Sequence, residues 1–290
     1  MNIGKLAGNL ITAMRLAVSP PIWRSTATGL RTGGYDPNGK PSTPYPILEV
    51  DPAAGLSLLE IDGKAYWEAS GLDHDGLRAI HAEVFDRESS HHYEVGGCAI
   101  RPDDVVIDAG ACEGFFTRFA LDRGARVVAV EPWSTQANAL RRTFAREIDE
   151  GRVRIEQRAL SDREGSLELR IDPAHPWGAT LGSAYNATVG EVVPLTTLDR
   201  LVDATWGRCD FLKADIEGAE VAMVDGAVRT LARDRPRISI AVYHRSTNYL
   251  DIRRKLRSLR IGYHVEGKGA QRRDIFYIPV MLHAWTGPAA

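Results

Sequence analysis

Cysteine is scarce and scattered in this chain: Cys98, Cys112 and Cys209 are three in 290 residues, an odd number with no Cys-x-x-Cys spacing. That excludes a disulfide framework and argues against a thiolate zinc site. A reduced, cytoplasmic compartment is the default setting for such a chain. Basic charge is not in excess either. The formal net charge is −2, so nothing in the overall balance points to nucleic acid or an anionic membrane as partner. A Gly-x-Gly-x-x-Gly turn is absent, which removes the pyrophosphate cradle that a nicotinamide dehydrogenase needs. What is present is ordinary soluble-protein composition, 44% hydrophobic and 26% charged, in a length suited to one large domain or a core with an appendage.

Acidic residues are missing from positions 1–35, which carry Lys5, Arg15, Arg24 and Arg31. Ile3, Leu6, Leu10, Ile11, Met14 and Val18 recur there at helical spacing. The stretch is too short to span a bilayer, and Asn9, Thr12 and Arg15 interrupt it as a secretory signal. A helix docked on the body or on a second copy of the chain fits better than a transit peptide or weak membrane-surface association through residues 1–24. Pro20-Pro21 ends it, and a Gly/Pro/Ser linker runs to position 46. Residues 47–92 read as a cap module: Asp62-Gly63 joins two strands as a hairpin, and Asp75 to Phe85 is a helix. The adjacent His91-His92 point in different directions, so they read as packed or solvated rather than as metal ligands.

Residues 93–290 are organised around Val105 to Thr117. Val105, Val106 and Ile107 form a buried strand that ends on Asp108, a turn carries Gly110 and Gly114, and a helix follows through Phe115, Phe116 and Phe119. Two carboxylates, Asp108 and Glu113, stand where phosphates would sit and would repel a dinucleotide. S-adenosylmethionine carries an ammonium, a sulfonium and no phosphate, so an acidic turn suits it. The next strand, Arg126 to Val130, is followed by Glu131, 23 residues beyond Asp108, where a carboxylate can accept hydrogen bonds from both ribose hydroxyls. Asp108 and Glu131 together read as an adenosyl-cofactor site.

Strands and helices then alternate, predicting a parallel sheet. Ser134 to Ile148 is a helix capped by Ser134, Val153 to Ile155 a strand, and Arg158 to Asp162 a polar loop able to cap an adenine. Ser166 to Ile171 and Val192 to Leu195 read as edge strands. Between them, Asp172 to Gly190 is rich in Gly, Pro and aromatics and reads as a substrate lid or, equally, as a disordered insertion. Phe211 to Ala214 is a strand whose end is marked by Asp215, at the switch point beside the Asp108 strand and so near the reactive end of the cofactor. Glu217 and Glu220 suit the positive end of the following helix, and Glu217 equally suits the crevice. Lys213 is read as snorkelling or ion-paired. His244 ends the strand from Arg237 and reads either as a neutral base facing the crevice or as a helix-capping or packed histidine. Tyr263 to Val265 with residues 275–280 is expected as an antiparallel hairpin at the sheet edge.

Asp108-Ala-Gly-Ala-Cys-Glu-Gly-Phe-Phe-Thr117, Val130-Glu-Pro132, Ala159-Leu-Ser-Asp162, Thr197-Leu-Asp199 and Leu212-Lys-Ala-Asp-Ile-Glu-Gly-Ala-Glu220, in that order, resemble the FkbM family of S-adenosylmethionine-dependent methyltransferases. The resemblance runs over about residues 93–280. It implies a Rossmann-like α/β class I methyltransferase fold, a seven-stranded sheet of order 3-2-1-4-5-7-6 with the last strand antiparallel. It also implies O-methylation of a hydroxyl on a sugar, glycan, glycolipid, polyketide or other secondary metabolite. Carried over, Asp108, Gly110 and Gly114 would hold the methionine end, with Ala111, Phe115 and Thr117 around them. Glu131 and Pro132 would meet the ribose, and Ala159, Leu160, Ser161 and Asp162 the adenine. Asp215 and Glu217 would stand by the acceptor. Cys112-Glu113 departs from the Asn and apolar residue of many members. Asp215, Glu217 or His244 is expected to take the hydroxyl proton, and a divalent ion at Asp215 is a variant. A nucleic-acid methyltransferase is disfavoured by the missing Asn-Pro-Pro-aromatic motif, and the non-enzymatic rival is a cofactor-binding scaffold.

Overall fold

Alternate residues of each apolar run face opposite ways, and both faces of the central sheet are buried. The structure, a computed structural model, describes residues 43–171, 189–273 and 276–287. The expected basic N-terminal helix with most of its linker, and the expected lid over 172–188, lie outside the described residues. The chain opens with β1 (Ile47–Asp51), β2 (Leu56–Ile61) and β3 (Lys64–Ala69), an antiparallel sheet followed by α1 (His74–Phe85). The β2–β3 turn is Asp62-Gly63, both at positive φ (49° and 72°), as the hairpin reading requires. Asp73 caps α1 by accepting from the N–H groups of Asp75 and Gly76.

The core follows as β4 (Val105–Ala109), α2 (Phe115–Leu121), β5 (Arg126–Val130), α3 (Ser134–Thr143), α4 (Ala145–Asp149) and β6 (Val153–Glu156). A small side sheet holds β7 (Ala159–Ser161), β8 (Gly165–Ile171) and β9 (Val189–Thr197), with β9 in the middle. The chain continues through α5 (Leu198–Ala204), β10 (Phe211–Ala214), α6 (Glu220–Asp225), α7 (Val228–Asp234), β11 (Arg237–Ala241) and α8 (Asn248–Ser258). It ends with β12 (Tyr263–Lys268), β13 (Gln271–Arg273), β14 (Phe276–Ile278) and β15 (Met281–Thr286).

The central sheet has the order β12-β15-β11-β10-β4-β5-β6, in which only β15 runs antiparallel to its neighbours. Numbered from β4, that is 3-2-1-4-5-7-6, the Rossmann-like class I order. Along β4, β5 and β10 the side chains of Val106, Val127 and Phe211 join one hydrophobic cluster while Ile107, Val128 and Leu212 join the other. The first cluster also takes Leu59, Tyr66, Leu77 and Val84, so segment 47–92 shares a core with the central sheet.

Three local expectations are corrected. Residues 159–161 form β7, paired in parallel with β9, rather than a free loop: Ala159 and Leu160 are buried, and β9 supplies the partner residues 36 positions on, Leu195 opposite Ala159. The strand paired with β12 is β15, while residues 276–278 pair with β13 in a separate hairpin. Ser134 does not cap α3; its hydroxyl donates to Glu191 at 2.8 Å and Trp133 occupies the cap position. Among the described residues, no helix is long and apolar enough to cross a membrane.

Candidate functional site

A cavity of about 440 Å³ opens beyond the carboxyl ends of β4, β5 and β10, the crevice that open α/β sheets use for ligands. Its first half is built by the turn after β4. Gly110 has φ +76°, and a Cβ there would stand 1.9 Å from the carbonyl oxygen of Asp215, so only glycine lets the turns after β4 and β10 touch. Gly114 acts elsewhere: a Cβ there would lie 2.6 Å from the Phe144 ring and 2.9 Å from Leu140, so this glycine seats α2 against the helices behind it rather than lining the cavity.

Glu131 is where the sequence predicts, one residue past β5, and lines the cavity at 7% exposure. Its Oε2 accepts from the N–H of Cys112 at 3.1 Å and its Oε1 from the N–H of Trp133 at 2.9 Å, which fixes the carboxylate plane. Burial pushes its carboxyl up to about 7, against those two N–H groups. Gly110, Ala111, Phe115, Pro132, Ala159, Leu160 and Asp215 line the same cavity.

Asp108, Thr117, Ser161 and Asp162 do not line it. Asp108 is fully buried inside β4, accepts from the Thr117 hydroxyl at 2.7 Å and pairs with Lys213 Nζ at 3.0 Å. It is therefore the counter-ion of a cavity-lining lysine and not itself a cavity-lining group. Lys213, which sequence reasoning left between snorkelling and pairing, also donates to the carbonyls of Ala109 (3.3 Å) and Gly110 (2.5 Å). Ser161 donates to Asp162, and Asp162 pairs with Arg163 at the surface.

Glu113 was visible in the sequence only as an acidic turn residue. It lines the cavity nearly buried, with its carboxyl raised chiefly by burial. Behind it Glu68 of β3 is wholly buried, pushed well above the usual range by burial and then by Glu113, and held by Gln136 Nε2 at 2.7 Å. The Cys112 thiol is raised well above its ordinary value by burial and the neighbouring carboxylates, so it is no reactive thiolate. The cationic side chains that line this cavity are Arg158 and the already paired Lys213. That donor set suits a cofactor without phosphates.

The other half is acidic and aromatic. Asp215, one residue past β10, accepts from the Tyr93 hydroxyl at 3.2 Å. Glu217 sits in the left-handed region at φ +53°, a strained conformation for a non-glycine residue. Its carboxyl is raised by burial. Tyr243 and Glu83 complete the wall; burial and the charge of Asp215 push the Glu83 carboxyl up to about 8.

His244 is a correction. Its Nε2 lies 3.4 Å from both Asp215 Oδ1 and Glu217 Oε2, and its Nδ1 lies 2.9 Å from Glu220 Oε1. Burial alone would lower its pKa, but these three carboxylates push it up to about 11. In this arrangement it is an imidazolium and not a neutral base, and it is not among the residues that line the cavity. Glu220 does more than favour a helix end: fully buried, it also accepts from the N–H groups of Ile216 (3.2 Å) and Gly218 (3.1 Å) and from Asn248 (2.9 Å). His91 and His92 stay outside this cluster: His91 meets Glu83 at 3.4 Å, and His92 is buried against the Val84 carbonyl.

Residues 108–265 match the family described as "Methyltransferase FkbM domain". The curated protein "Methyltransferase sdnD" of Sordaria araneosa is 26% identical over 201 residues, which cover 58% of this chain and 74% of that protein. The "AMB antimetabolite synthetase AmbE" of Pseudomonas aeruginosa is 28% identical over 131 residues, 44% of this chain and 6% of the synthetase. A crystal structure of a methyltransferase FkbM from Methylobacillus flagellatus KT is similar over 64% of this chain and 44% of its own, at 20% identity and TM-score 0.48.

Proposed function

Because the chain belongs to the FkbM methyltransferase family, whose match spans just over half of it, we propose that it uses S-adenosylmethionine to methylate a hydroxyl of a small-molecule or glycan acceptor. The observation that carries the cofactor reading is Glu131, a nearly buried carboxylate fixed at the carboxyl end of β5 in a cavity poor in cations. S-adenosylmethionine, when bound, supplies a methyl group on an already activated sulfonium. The protein's part is binding and orientation. Glu131 would accept from the ribose hydroxyls, Trp133, Ala159 and Leu160 would wall the adenine, and Glu113 of the acidic turn would meet the methionine ammonium. At the other half, Tyr93 holds Asp215, and Asp215 or Glu217 takes the proton from the acceptor hydroxyl as the oxygen is held near its point of attack. The free Cys98, Cys112 and Cys209 support a reducing, cytoplasmic setting.

One observation favours a second reading. Glu83, Asp215 and Glu217 line the acceptor half together, and such a wall also suits a cationic amine. Incubation with S-adenosylmethionine labelled in its methyl group, against matched panels of hydroxylated and amine acceptors, separates the two. Label on hydroxylated compounds is the expected result; label on amines alone transfers the assignment to nitrogen, and label on neither supports a binding scaffold.

A further inference from the structure

The acceptor half contains a set of atoms that proton transfer alone does not account for. One carboxylate oxygen each of Asp215 and Glu217 and a ring nitrogen of His244 lie within 4.8 Å of one another. His244 Nε2 is 3.4 Å from each of the two oxygens. Neighbouring ligands of an ion bound at about 2.1 Å stand about 3.0–3.5 Å apart, between octahedral and tetrahedral angles. The spacing therefore already has room for an ion.

Three further features point the same way. Asp215 uses Oδ2 for Tyr93 and turns Oδ1 toward His244 Nε2 at 3.4 Å, longer than a hydrogen bond and matched to the edge between two ligands of one ion. Glu220 holds the far nitrogen of His244 at 2.9 Å, the carboxylate–histidine pairing that orients metal-ligating imidazoles. Glu220 is in turn fixed by Ile216, Gly218 and Asn248, so this outer layer is rigid. Glu217 reaches the cluster only through a left-handed backbone at φ +53°, a strain that a packing role does not require.

We propose that Asp215, Glu217 and His244 form a site for one divalent transition-metal ion, open to the cavity, which displaces the Nε2 proton of His244 to solvent on binding and takes the acceptor through two neighbouring oxygens. Two carboxylates and one imidazole suit Mn²⁺, Fe²⁺ or Zn²⁺ better than Ca²⁺. The assignment rests on the methyltransferase reading for its acceptor, and it narrows that acceptor to vicinal diols, α-hydroxy acids and similar chelating oxygens. Asp215 and Glu217 then act through the ion, and the lining carboxyl of Glu83 remains to receive the hydroxyl proton.

The test uses the full chain and Mn²⁺ alone, followed by the loss of the free-ion electron paramagnetic resonance signal. One Mn²⁺ per chain is expected. Asp215→Asn and Glu217→Gln should each weaken binding at least tenfold, while Glu83→Gln, in the same cavity but outside the triad, stays within twofold. Circular dichroism confirms that each variant is folded. No Mn²⁺ uptake by the native chain, or equal uptake by native and triad variants, overturns the site. S-adenosylhomocysteine is titrated calorimetrically into the same samples. Its binding without Mn²⁺ uptake overturns the metal site and leaves the methyltransferase reading intact; Mn²⁺ uptake without it supports the metal site and removes that reading.

Discussion

Asp108 and Asp215 stand at the ends of adjacent parallel strands and have opposite fates. In the β4–β10 register Asp108 lies level with Lys213, so Asp215 falls two positions further on, level with Gly110. Inside the strand, Asp108 is fully buried and its charge is neutralised by Lys213 across the ladder. Past the strand end, Asp215 faces the cavity and meets Tyr93 and His244. A shift of two residues separates a carboxylate that holds the sheet together from one available for chemistry.

The sharpest way to break this comparison is to remove each carboxylate. Asp108→Ala leaves the Lys213 ammonium buried without a counter-ion and should cost about 3–5 kcal/mol in urea unfolding. Asp215→Ala should cost about 1 kcal/mol or less. Equal losses would erase the distinction. Replacing both members of the pair, Asp108→Leu with Lys213→Met, should recover most of the stability, since it removes the uncompensated charge along with its partner.

A smaller effect probes the contact between the two turns. Gly110→Ala meets both a positive φ and the Asp215 carbonyl, and should lose about 1–3 kcal/mol from the backbone alone. Gly151→Ala has a positive φ (68°) but nothing within 4 Å of the new methyl group. The excess loss at Gly110 over Gly151, read by thermal unfolding, measures the turn–turn contact; no excess would mean that the turns are not in register contact.

The smallest effect is pH-dependent. Burial holds the Glu131 carboxyl at about 7, so it is protonated below that pH and then accepts ribose hydroxyls less well. Affinity for S-adenosylhomocysteine should fall as pH drops from 8 to 6, by up to roughly tenfold per unit. In Glu131→Gln the profile should flatten in that window. The ligand-free chain has the opposite sense: the folded state binds this proton more tightly than the unfolded one. The stability it contributes is full below the unfolded value and is lost as pH rises through 7.

Much of the cavity half around the turn after β4 was legible because it is local. The spacing of Asp108, Gly110 and Glu131 marked the crevice, and the strand order followed from the family resemblance. What was hidden is long-range. Lys213, the partner of Asp108, lies 105 residues away on another strand, and no periodicity joins them. Glu68 and Glu83 enter the site region from segment 47–92, which carries none of the quoted motifs. His244 looked like a neutral base because its environment, three carboxylates including Glu220, is set by the fold and not by its own neighbours. The strand β15 was missed because the short hairpin before it absorbed the pairing expected of the chain end.

The most direct test of the adenosyl site is a calorimetric titration of S-adenosylhomocysteine into the native chain and Glu131→Ala, with NAD run beside it. The account predicts micromolar binding of the homocysteine compound, weakened at least tenfold in Glu131→Ala, and no heat with NAD. Binding of NAD without S-adenosylhomocysteine, or an affinity indifferent to Glu131, would contradict it.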